Sequence, residues 1–157
     1  MRKTLALAVV ILIAGSAVGQ KKAAENPDKK AVLATVHQFV DGFNKGDTKS
    51  ALATCASPAA IIDEFPPFAW SGPNACDEWA KDFDAAAKKD GMTDAKVWMG
   101  APTTVDVAGD RAYVIAPTKF SYKVKGKATT EPPARLTIAL QKKGNDWKIV
   151  AWTWSKH

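Results

Sequence analysis

Beyond residue 25 the apolar side chains recur every three or four positions. Val32, Val36, Phe39, Val40 and Phe43 form one stripe, the period of a helix with a single buried face. Asn26 is placed to cap that helix, Pro27 to occupy its first position and Asp28 to favour its dipole. Gly46 supplies a left-handed stop. Asp47 predicts the cap of a second, shorter helix burying Ala51, Leu52 and Cys55. A short strand over 59–63 follows, broken by Glu64-Phe65-Pro66-Pro67 because proline removes ladder donors and restricts the residue before it. A loop then carries Phe68 and Trp70. Ser71-Gly72-Pro73 opens a third helix that runs to Asp90 with the stripe Cys76, Trp79, Ala80, Phe83 and Ala87, and Gly91 ends it.

From Thr93 the period changes from near 3.6 to two. Four strands are predicted, roughly over 94–107, 111–125, 131–142 and 146–155, with hairpin turns at Gly109-Asp110, Lys125-Gly126-Lys127 and Gly144-Asn145. The expected class is therefore α+β: three N-terminal helices packed on a curved antiparallel sheet. Pro117 predicts a bulge or bend in the second of these strands. In the last, Val150, Trp152 and Trp154 share one face and Trp147, Ile149, Ala151 and Thr153 the other. Both faces are then partly covered, one by helices and the other by a partner subunit, which points to a homodimer.

The first residues change the picture. Arg2 and Lys3 precede an apolar run from Leu5 to Ala14 and a small-residue end at Ala17-Val18-Gly19, the three-part pattern of a cleaved secretory leader over 1–19. The run is about half the length needed to span a bilayer, and no later segment is apolar enough to insert. The expected location is periplasmic or secreted, with no membrane attachment after cleavage. Removal of the leader lowers the net charge from +6 to +4. That modest charge and export disfavour nucleic acid as a partner. Arg111, Lys119, Lys123 and Lys125 share strand parity and read as a solvated outer stripe. Residues 20–27 are polar and aperiodic, a lead-in to one domain over 28–157.

Three helices, a short strand and a late sheet, with the local markers Phe39-Val40-Asp41-Gly42-Phe43-Asn44-Lys45-Gly46-Asp47, Ile61-Ile62-Asp63-Glu64-Phe65-Pro66-Pro67, Trp70-Ser71-Gly72-Pro73 and Trp147 to Trp154, resemble the nuclear transport factor 2-like superfamily. Within it the chain looks like small exported SnoaL-like proteins. The resemblance implies a cone-shaped fold whose helices close the concave side of the sheet over a pocket. Candidate pocket residues are Phe39, Trp70, Trp79, Phe120, Tyr122 and Trp152, with Trp70 at the mouth. The resemblance is nearly silent on activity, because one scaffold hosts enzymes, binding modules and assembly domains.

Asp63 and Glu64 stand where ketosteroid isomerase, in the same superfamily, carries its general base. Strand alternation allows only one of them to face the cone. Desolvation there would raise its pKa and poise it for proton transfer; the plainer reading is a carboxylate that caps the turn at Pro66-Pro67. The isomerase's two oxyanion donors fall at Phe39 and Ala134, neither of which donates a hydrogen bond, so that mechanism is disfavoured. Tyr122 or His37 could assist a different acid–base reaction, though a boundary histidine is more often structural. Two histidines and two cysteines at these spacings match no metal site, and no cofactor is implied. Cys55 and Cys76 are expected to form a disulfide in an oxidising compartment, closing a loop of about 22 residues and contributing on the order of 3 kcal/mol; the alternative is two buried thiols. The leading expectation is an exported domain that binds a small, partly apolar molecule without established catalysis. A SnoaL-like isomerase, cyclase or hydrolase using Asp63 or Glu64 is the alternative, and a homodimeric assembly or accessory module whose cone is filled by its own tryptophans is the third.

Overall fold

The computed structural model describes residues 26–156. The expected leader and residues 20–25 of the lead-in lie outside the described residues. Helix α1 (Pro27–Lys45) starts at its predicted cap, where the Asn26 side chain accepts the Asp28 N–H at 2.9 Å, and Gly46 closes it at φ 69°. Asn26 and Pro27, assigned above to the lead-in, therefore belong to the domain. Asp47 caps α2 (Thr48–Leu52). The chain must be glycine at 42, since a Cβ there would lie 2.7 Å from the Ala51 nitrogen.

The remaining elements are β1 (Cys55–Ile62), β2 (Ala69–Gly72), α3 (Ala75–Asp90), β3 (Met92–Met99), β4 (Thr104–Ala108), β5 (Arg111–Val124), β6 (Lys127–Thr130), β7 (Ala134–Lys143) and β8 (Asp146–Lys156). Several differ from expectation. Cys55 begins β1 and is not on α2, so the first strand is longer than 59–63 and stops before Asp63. The expected loop around Trp70 is strand β2, antiparallel to β1 with Ile61 opposite Trp70. The helix expected to open at Ser71-Gly72-Pro73 begins at Ala75, because Ser71 and Gly72 are held in β2. The single strand over 94–107 is two strands, broken at Gly100-Ala101-Pro102, and the region 125–143 holds β6 as well as β7.

The sheet runs β2-β1-β8-β7-β5-β3, with β4 and β6 also paired to β5. It is mixed, not purely antiparallel: β1 lies parallel to β8 because the chain reaches the sheet edge through helices and returns to it only at its end. The fourteen residues of β5 organise one flank, pairing β4 over their first part and β3 over their last. Pro117 sits at that changeover. Its carbonyl accepts the Gly100 N–H at 2.9 Å, so its nitrogen faces the gap between β4 and β3, where no ladder donor is required. Of the bulge or bend expected there, no bulge occurs: the β5–β7 register is unbroken across Pro117.

A bulge does occur in β8, where Ala151 pairs Ala139 but Ile149 pairs Leu140, skipping Val150. An extra residue reverses the alternation. Trp147 and Ile149 therefore join Trp152 and Trp154 on the helix-facing side, correcting the parity expected from the sequence. Both helices α1 and α3 pack on that side. The Asp28 carboxylate ties the start of α1 to the β7–β8 hairpin, accepting from Lys142 at 2.7 Å and Trp147 at 3.3 Å. Asn44 ties its end to β3, donating to the Val97 carbonyl at 2.8 Å and accepting the Val97 N–H at 2.7 Å. Cys55 and Cys76 are bridged, joining β1 to α3. The opposite face of the sheet is open, with Trp98 57% and Tyr113 43% exposed. No described helix is long and apolar enough to cross a membrane.

Candidate functional site

The hollow of the sheet is closed by repeats one helical turn apart and by alternate strand positions. Phe39 and Phe43 project from α1, Trp79 and Phe83 from α3, Phe120 and Tyr122 from β5, and Trp152 and Trp154 from β8. These spacings of four and two put each pair on one face. Most of the rings meet tilted or edge-on: Trp79 crosses Trp152 at 90° with centroids 5.0 Å apart, and Phe43 meets Phe83 at 64° and 5.2 Å, while Trp79 and Phe83 stack at 26°. Rigid rings at such angles leave a cavity of about 300 Å³.

Its polar pole lies just beyond the end of β1. Both Asp63 and Glu64 line the cavity, contrary to the expectation that only one could. The strict alternation of a strand ends at Ile62, and the turn in which Phe68 donates its N–H to Phe65 carries Glu64 round beside its neighbour. Asp63 accepts the Trp79 indole N–H at 2.8 Å through one oxygen and the Glu64 backbone N–H at 2.8 Å through the other. Burial nevertheless holds its carboxyl above the ordinary value, outweighing those two donors. Lys156 bridges Glu64 at 2.8 Å and Glu131 at 3.1 Å. Burial and then the facing Glu131 carboxyl raise the Glu64 pKa, while the contact with Glu64 raises that of Lys156. Tyr122, beside Glu131, is raised chiefly by desolvation. Trp152 is 6% exposed and its indole nitrogen is buried without a hydrogen-bond partner.

Of the six aromatic residues expected to form a pocket, Phe39, Trp79, Phe120, Tyr122 and Trp152 line this cavity and Trp70 does not. Trp70 is buried on β2, its indole N–H donating to Asp82 at 2.9 Å and its ring packed on Phe65 at 5.0 Å. Pairing with β1 pulls it away from the mouth where a free loop would have left it. Ala134, expected opposite an oxyanion, is buried on β7 outside the lining, and His37 is exposed on α1. The donors available at the cavity are instead Tyr122 and Lys156.

Sequence reasoning missed Glu131, Lys156 and Asp90, all of which line the cavity. One signal was present for Glu131. It precedes Pro132-Pro133 as Glu64-Phe65 precedes Pro66-Pro67, and a carboxylate beside a proline break is held near a strand end, where sites collect. Nothing in the sequence marks Lys156, which reaches the pole only through the register of β8. Among the described residues no three His, Cys, Asp or Glu side chains converge where a metal ion would sit.

A SnoaL-like domain family matches residues 32–156. No curated protein matches the sequence. Among solved structures the chain is similar to a ketosteroid isomerase-like protein from Erwinia carotovora atroseptica, with 20% identity, a TM-score of 0.67, and 84% of this chain and 98% of that one covered. It is also similar to a nuclear transport factor 2-like superfamily protein from Salmonella enterica serovar Typhimurium, with 16% identity, a TM-score of 0.68 and coverage of 82% and 89%. Aln2 from a Streptomyces species gives 16%, 0.66, and coverage of 84% and 92%. At such identities the likeness concerns the fold alone. By the family match over 32–156 the chain belongs to the SnoaL-like domain family, and it shares the cone fold of nuclear transport factor 2-like proteins.

Proposed function

We propose that this domain binds a small, partly apolar molecule in the hollow between its helices and sheet. The observation that carries the reading is the cavity of about 300 Å³, walled by aromatic rings and polar at one pole, the general form of a small-molecule site. A purely structural module whose tryptophans fill the cone is disfavoured by the same hollow. Backbone amide shifts on titration with small aromatic probes test the reading: they should cluster on Phe39, Trp79, Phe120 and Trp152. Shifts confined to the outer sheet face, or none, would refute it.

A second reading, an isomerase, cyclase or hydrolase, is favoured by one observation. Asp63 is a half-buried carboxyl whose pKa is raised by desolvation and which is held by two donors, the direction of shift that a carboxylate general base needs. Export fits the Cys55–Cys76 bridge, since disulfides persist in oxidising compartments. Pairing of two copies through the outer sheet face fits the exposure of Trp98 and Tyr113; sedimentation of the chain and of Trp98→Ser would check it, a monomer in both counting against it.

A further inference from the structure

The charge of the cavity runs opposite to that of the chain. Its lining carries Asp63, Glu64, Asp90 and Glu131 against Lys156 alone, in a protein of net charge +6. Lys156 is already engaged by two of these carboxylates, at 2.8 and 3.1 Å. Asp63 has only neutral donors, an indole and a backbone amide. The site thus holds more negative charge than its own cation balances, with Asp63 and Glu131 half-buried and Glu64 and Asp90 more exposed, and even partial burial of unbalanced carboxylates is costly. Nine lining residues are aromatic, and aromatic faces attract cations most strongly where water is excluded.

We propose that the ligand of the cone is an organic cation: a protonated or quaternary amine on an apolar body of about ten non-hydrogen atoms, the room that some ten water volumes would occupy. The ammonium group lies at the pole formed by Asp63, Glu64 and Glu131, supplying the counter-charge that Lys156 alone does not. The apolar body lies among the rings of Phe39, Phe43, Phe83 and Phe120. The raised pKa values of Asp63 and Glu64 agree with a site in which Lys156 leaves the carboxyls short of positive charge. The inference rests on the binding reading above and goes beyond it by giving the ligand a charge.

Three probes of nearly equal size separate the alternatives: 2-phenylethylammonium, 2-phenylethanol and phenylacetate, titrated against the full chain by tryptophan fluorescence. The amine is expected to bind about tenfold tighter than the alcohol, with phenylacetate weakest. Glu131→Gln and Glu64→Gln should each lower the amine-to-alcohol ratio several-fold, with melting curves checking that the variants fold. Should either variant fail to fold, raising the salt on the unaltered chain should erode the ratio without weakening the alcohol. Equal binding of amine and alcohol, tighter binding of phenylacetate, or a ratio indifferent to both variants and to salt overturns the proposal and leaves the cone a site for neutral molecules. Failure of all three probes overturns it together with the binding reading.

Discussion

The two ends of the cone are built from different side chains. At the closed end Val32 and Val36 of α1 meet Ile138 and Leu140 of β7 and Ile149 of β8, all 1% exposed or less. Branched aliphatic side chains interdigitate to near-crystalline density, and none of these five lines the cavity. At the open end the contacts are between rings at 26° to 90° around Trp79 and Phe43, with a hollow between them and four carboxyls at its wall. Stability is concentrated where the packing is solid. Burial of acid groups, which opposes stability at neutral pH, is concentrated where the ligand would sit.

This division can be tested by weakening each end in turn. Ile138→Ala at the closed end should cost about 4 kcal/mol in urea unfolding, through lost burial and a new cavity; a loss below about 1 kcal/mol would mean that the closed end is not the rigid part. Cys55→Ser with Cys76→Ser removes the tie between β1 and α3, on which both Asp63 and the Trp79 indole depend for position. Calorimetry should show a loss of about 3 kcal/mol, the loop-closure value. The smallest effect belongs to the open end. Because the Asp63 pKa is raised in the folded state, its contribution favours folding below its ordinary value of 3.8 and is lost as pH rises through the folded value. Asp63→Asn should therefore flatten the pH dependence of stability across that window while changing stability at pH 7 by less than about 1 kcal/mol. A variant whose stability follows pH as the parent's does would place the acid-linked cost elsewhere in the site.

Much of the helical half is legible in the sequence because its signals are local. Asn26, Gly46, Asp47 and Gly91 act within a turn of their own position, and each does what its residue type predicts. Trp79 and Phe83 were recognisable as one helix face from their spacing. The strands are less legible where pairing overrides composition. Trp70 reads as a loop residue until β1 draws it into the sheet, and the two faces of β8 read wrongly because nothing in Trp147-Lys148-Ile149-Val150 announces a bulge. A one-residue slip costs little locally and exchanges every side chain beyond it.

The amino-acid sequence alone settles both ends of α1, the start of α2 and the end of α3, the presence of a late sheet, the two cysteines and the pair Asp63-Glu64 at a proline break, since these follow from rules that reach only a few residues. Tertiary structure alone decides that β1 runs parallel to β8 and that both carboxyls turn into one cavity. It alone brings Glu131, from the connection between β6 and β7, and Lys156, from β8, to meet Glu64. Such meetings depend on register and on a bulge summed across four strands, and no short stretch of the chain encodes that sum.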